Sequence, residues 1–178
     1  MTYNFNQSNL LKAVCVLGLS SFANLATAHS FGGSLNGNAG ASAVPTATEY
    51  YKLTCDQSVA AAGETTAPAT RMLISIRDTS TGTSLVGVTL SKPDTLSGPN
   101  APVNKKAQTT IDPVGGLGNT AYSPEISVAG GEGVYYATVF HTGTSADNFA
   151  ATFHCVGLNN LGQEQHSGTK EAERLSNQ

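Results

Sequence analysis

The sequence predicts an all-β fold: a single antiparallel β-sandwich, of jelly-roll or immunoglobulin-like type, closed by one disulfide. Three observations predict it. Beyond residue 28 no sustained 3.6-residue periodicity occurs. Short runs alternate apolar and polar residues and are separated by Gly, Pro, Asn and Asp. Two cysteines each fall on the apolar side of such a run.

Residues 1–28 have the layout of a secretory signal. Lys12 precedes the apolar run AVCVLGLSSFA (Ala13 to Ala23), and Ala26 and Ala28 place small residues where a signal peptidase reads. The run is shorter than the roughly 20 residues that cross a bilayer, and Cys15 lies inside it rather than after it, which argues against a lipoprotein. The expectation is export to the periplasm or beyond, with no integral membrane segment after processing and a mature chain starting at His29.

The mature elements follow in order. EYYKLTC (Glu49 to Cys55) puts Tyr51, Leu53 and Cys55 on one face. RMLISIRD (Arg71 to Asp78) aligns Met72, Ile74 and Ile76, and SLVGVTL (Ser84 to Leu90) aligns Val86, Val88 and Leu90. PEISVA offers Ile126 and Val128 to the core. GVYYATVFHTGTSADNFAATFHCVG reads as a hairpin, two strands around the polar loop Thr142 to Asn148, with Phe149, Ala151, Phe153 and Cys155 on one face. Six or seven strands result. Ser91 to Ser123, rich in Pro, Gly, Asn and Lys, reads as a long surface loop in which only AQTTID resembles a strand. The sandwich is expected over residues 29–162, and the charged segment 163–178, poor in apolar residues, as a flexible tail or frayed helix.

Loss of Cys15 with the leader leaves Cys55 and Cys155, and an exported chain with two cysteines allows one pairing. The mature 150 residues suffice for one domain with a core. Eight basic residues then stand against twelve acidic ones, and NKK (Asn104 to Lys106) is the densest basic stretch, so nucleic acid is excluded as a partner.

The segments TEYYKLTC, RMLISIRD and ISVAGGEGVYYATVFHTGTSADNFAATFHC resemble the bacterial pre-peptidase C-terminal domain family, small secreted β-sandwiches. Gly133, Tyr135 and Val139 match the first half of that family's closing G-x-Y-x-x-x-V hairpin, and Asn148, Phe149 and Phe153 match the second. The resemblance covers about half of the mature chain and implies a non-catalytic accessory or binding module.

No G-x-S-x-G elbow, H-E-x-x-H, P-loop or dinucleotide fingerprint is present, and no catalytic residue is expected. Asp147, in SADN, is either a cation ligand or ordinary turn chemistry. Four histidines survive processing. An N-terminal His29 offers two nitrogens from one residue, and a second imidazole from His154 or His141 would complete a copper site of histidine-brace type, so copper is the alternative cofactor to none. The plainer reading makes His29 a frayed first residue, and His141 and His154 exposed strand positions; His166 lies in the tail. Tyr50 and Tyr136 are candidates for a flat sugar-stacking surface, or for cross-strand pairing alone. The leading functional expectation is a binding or structural module for a glycan or protein partner.

Overall fold

A computed structural model describes residues 28–36, 47–93, 106–113, 120–143 and 146–177. The expected leader, apart from Ala28, lies outside the described residues, as do 94–105 and 114–119 of the expected long loop. Among the described residues ten strands run in chain order: β1 (His29–Leu35), β2 (Thr48–Cys55), β3 (Ala69–Asp78), β4 (Val86–Lys92), β5 (Lys106–Ile111), β6 (Ile126–Ala129), β7 (Gly133–His141), β8 (Asp147–Leu158), β9 (Glu164–Ser167) and β10 (Thr169–Asn177). A short 3-10 turn at Gln57–Val59 interrupts them, and the described residues contain no α-helix.

The strands form two antiparallel sheets. One is ordered β1-β8-β3-β6, with β9 also on β8; the other is β10-β2-β7-β4-β5. The first eight strands pair as nested couples: β1 with β8, β2 with β7, β3 with β6 and β4 with β5. Alternate couples lie in opposite sheets. One long antiparallel ribbon folded over on itself produces that order, and it is the jelly-roll arrangement of the two sandwich types expected. Nesting also corrects the expected terminal hairpin. β7 and β8 are consecutive but lie in different sheets, because β7 pairs with β2 and β4 whereas β8 pairs with β1 and β3.

The alternation read from the sequence is the alternation seen in burial. Tyr51, Leu53 and Cys55 from β2 meet Met72, Ile74 and Ile76 from β3, Val86, Val88 and Leu90 from β4, and Phe149, Phe153 and Cys155 from β8 in one core. Val128 joins it fully and Ile126 partly. Phe31, Tyr51, Phe149 and Phe153 form an aromatic cluster across the sheets, with the Phe31 and Tyr51 rings 4.1 Å apart and Phe31 and Phe153 5.6 Å apart. Cys55 and Cys155 form the disulfide, Cα to Cα 5.7 Å, joining β2 of one sheet to β8 of the other.

The segment beyond residue 162 is not a flexible tail, and the sandwich therefore extends to Asn177. β9 turns back on β8, with Val156 opposite His166, and β10 adds to the open edge of β2. Between them Gly168 passes so close to the carbonyl of Asp56 that a Cβ there would lie 2.1 Å from it, leaving room for glycine alone. The sequence hides β10 for a physical reason. Its register shifts twice, between Lys170 and Glu173 and between Arg174 and Ser176, which breaks the period-two pattern. It is also an edge strand, where charged side chains discourage further pairing. Lys52 pairs with Glu173 at 2.7 Å, Lys170 with Asp56 at 2.7 Å, and Arg174 reaches Glu49.

Glu49 is fully buried between the sheets and also accepts the Tyr51 hydroxyl. Burial of the ring and the acceptor role of Glu49 hold the Tyr51 phenol well above its ordinary range. A buried carboxylate needs such partners, because burying it alone costs several kcal/mol.

Two outcomes are expected. Cys55→Ser opens a loop of 100 residues and should lower stability by up to about 4–5 kcal/mol in denaturant melts. An unchanged midpoint would mean that the bridge contributes nothing. Arg174→Ala strands the Glu49 carboxylate and should cost about 2–4 kcal/mol, of which Glu49→Gln in the same chain recovers the larger part, measured as a double-mutant cycle.

Candidate functional site

The outer face of the β2 sheet carries the two tyrosines singled out above. Tyr50 is opposite Thr138, and Lys52 is opposite Tyr136, so the rings are diagonal neighbours on adjacent strands. Registers extend these into two cross-strand rows. Ser176, Tyr50, Thr138, Thr89 and Thr109 make one; Glu173, Lys52, Tyr136, Ser91 and Ala107 make the other. Thr89 and Thr109 share a hydrogen bond of 2.8 Å. Tyr50 and Tyr136 are 39% and 37% exposed, enough to offer ring surface to a ligand. Together with Pro93 and Leu175 they line a groove of about 520 Å³ to which Ser91, Thr138 and Ser176 add aliphatic hydroxyls. At the groove rim the Lys52–Glu173 pair cancels its own charge.

The three histidines proposed for a shared copper site are not brought together. His29 starts β1 opposite Phe153, on the inner side of the β8 sheet, its ring 5.8 Å from the Phe153 ring. It is held in a strand, not frayed. His154 projects from the outer side of that sheet, opposite Leu73, so sheet backbone separates it from His29. His141 contacts Asp147, which sits opposite Leu35 at the far end of β1, about 20 Å along the strand from His29. Among the described residues no three His, Cys, Asp or Glu side chains are grouped to hold a metal.

His141 corrects a second expectation. Rather than an exposed strand position it is 2% exposed, and its Nδ1 lies 2.8 Å from Oδ2 of Asp147. Asp147 is fully buried and also accepts the Ser84 hydroxyl. It is neither an open turn residue nor a surface cation ligand. The Ser, His and Asp types of a hydrolytic relay are present, but this hydroxyl donates to the carboxylate and all three residues are buried. Asp78 and Asp112, both fully buried, extend the polar layer: the Asp78 amide donates to Asp112 at 2.7 Å, and Asp78 Oδ1 accepts from the Ser80 amide and hydroxyl. These residues close one end of the core.

His166, assigned to the tail by sequence, is placed by β9 against His154, the rings stacked 4.1 Å apart and nearly parallel. Arg71 pairs with Glu164 beside them. Burial, then the neighbouring His166 and Arg71, push the His154 pKa down to about 4. Only the pairing of β9 with β8 makes this cluster; the sequence carried no signal for it beyond the two imidazoles.

No family model, curated protein or solved structure matches this chain.

The His154 environment sets a pH dependence. The unfolded chain takes up a proton near the ordinary value of 6.5, the folded chain only near 4, so between these values the unfolded state binds more protons. Stability should fall as pH drops from about 6.5 to about 4, and His154→Gln should flatten that part of the profile, read from melting temperatures at half-unit pH intervals. A parallel profile for wild type and variant would remove His154 as its source.

Proposed function

We propose that this chain is an exported, non-catalytic binding module that holds a neutral carbohydrate on the outer face of its β2 sheet. The observation that carries this reading is the groove between Tyr50 and Tyr136. Two partly exposed aromatic rings present apolar faces, and the groups around them are hydroxyls, from Ser91, Thr138 and Ser176. A sugar ring offers the matching chemistry: C–H groups that pack on an aromatic face and hydroxyls that exchange hydrogen bonds at its rim. The internally paired Lys52 and Glu173 leave no net charge to recruit an anionic ligand.

The platform is also rigid. Tyr50 and Tyr136 stand on adjacent paired strands with the core beneath, so little side-chain or backbone freedom is lost on binding. The reading agrees with the accessory role implied by the resemblance to pre-peptidase C-terminal domains, and the leader expected over residues 1–28 would deliver the module outside the cytoplasm.

A glycan array followed by calorimetry on the best oligosaccharide tests it. Tyr50→Ala and Tyr136→Ala should each weaken binding by about tenfold, roughly 1.4 kcal/mol, with melting temperature nearly unchanged because both rings lie outside the core. An array without binders, or variants that bind like wild type, would refute the assignment.

A further inference from the structure

Among the described residues the two sheets end at β1, β6, β10 and β5. An open strand edge presents a row of N–H and C=O groups that another strand can take up, and three of these edges are blunted against it. β10 carries Lys170, Glu171, Glu173 and Arg174 and shifts register twice. β6 has only four residues, and the side-chain oxygen of Gln108 takes its Ser127 amide at 3.1 Å. β1 faces β10 across the rim, with a cleft of about 290 Å³ there lined in part by His29, Thr169 and Glu171, and with Glu171 Oε1 3.7 Å from His29 Nε2. β5, KAQTTI, has none of these devices. It contains no proline, its register against β4 is unbroken, and its one charge is at its first residue, Lys106.

Hydrogen bonding to β4 fixes which way the β5 backbone points. The Thr142 amide donates to the Leu85 carbonyl, and the Asp112 amide to the Val86 carbonyl, both at 2.9 Å and from opposite sides of the β4 strand. Continued along the ladder, that alternation bonds Lys106, Gln108 and Thr110 to β4 and turns the N–H and C=O groups of Ala107, Thr109 and Ile111 away from it. No strand among the described residues meets those groups. The side chains of the same three residues share the outer face of the sheet, where Thr109 is hydrogen-bonded to Thr89 and Ile111 is 39% exposed.

We infer that β5 is a self-association edge, which pairs antiparallel with β5 of a second copy about a twofold axis at Thr109. This register sets Thr109 opposite Thr109 and Ala107 opposite Ile111, and it uses every outward group, about six hydrogen bonds in all. The side chains are self-complementary in it, which selects a second copy over an unrelated extended segment. Thr109 against Thr109 repeats the Thr89–Thr109 pair already present. The small Ala107 leaves room for the partly exposed Ile111 of the other copy. The two Lys106 side chains fall at opposite ends of the seam, so no like charges face each other. The inference goes beyond the sugar reading and does not rest on it. Two five-stranded sheets become one, with both tyrosine grooves on the same side and the two β7 strands about 24 Å apart, a spacing that lets one polysaccharide chain engage both.

The test is sedimentation velocity on natively exported protein across micromolar to millimolar concentrations, since a single strand pair is a small interface and the association is weak. The sedimentation coefficient should rise from that of a monomer to that of a dimer. Thr109→Pro removes an outward N–H without touching a bond to β4, a change that an edge strand tolerates, and Thr109→Lys sets like charges face to face across the axis. Each should weaken the association by at least about tenfold, with melting temperatures close to wild type. Should the proline variant fail to fold, Thr109→Lys, on the outer face, carries the test alone. Thr109→Cys should crosslink two copies under mild oxidation, whereas Thr89→Cys, one strand further in, should not. A monomer at every concentration, a dimer that persists in Thr109→Lys, or no crosslink in Thr109→Cys overturns the inference. Tyr50→Ala should dimerise like wild type, so the sugar assignment and the pairing can each fail alone.

Discussion

The inward face of β8 holds the two sheets against each other. Over twelve residues this strand pairs with β1 and β9 on one side and β3 on the other. Phe149 and Phe153 project from it into the aromatic cluster, and Cys155 ties it covalently to β2 of the opposite sheet. Apolar burial in the middle and a covalent link at one end act on the same strand. The other end of β8 begins with Asp147, where the core gives way to a polar layer.

That layer is unusual in sign. Among the described residues Glu49, Asp78, Asp112 and Asp147 are all completely buried, Glu49 against Arg174 and Tyr51, and Asp147 against His141 and Ser84. Such groups contribute little net stability, because desolvation offsets most of their mutual attraction. They do penalise misalignment: a one-residue slip of β2, β3 or β8 would move an acid from its partners to the other face. The chain thus combines an apolar middle that drives collapse with ends that discriminate between registers.

With the inner faces committed to packing, the concavities lie on the outer face and the rim. The tyrosine groove lies on the outer face of the β2 sheet, and the His29 cleft lies where the β1 edge of one sheet approaches the β10 edge of the other. Both are built partly from β10, through Leu175 and Ser176 in the groove and Thr169 and Glu171 in the cleft. The last strand, polar and irregular, contributes little to the core but completes both concavities.

Alternation along single strands was enough to determine the fold class and the inward face of each main strand, while the cysteine count, once Cys15 was assigned to the expected leader, left Cys55 only Cys155 to pair with. The alternation even contained more than a reading of apolar residues extracts. Glu49 shares its parity with Tyr51 and Leu53, Asp78 with Ile74 and Ile76, His141 with Tyr135 and Val139, and Asp147 with Phe149, so each was marked as inward. Parity is a local property, since successive side chains point to opposite faces whatever the strand pairs with. Pairing is not local. The nested jelly-roll order, the separation of β7 from β8, the recruitment of β9 and β10, and the approach of Glu171 to His29 depend on which edges lie adjacent after folding. Backbone hydrogen bonds between strands carry no side-chain signature, so only the tertiary structure decided them.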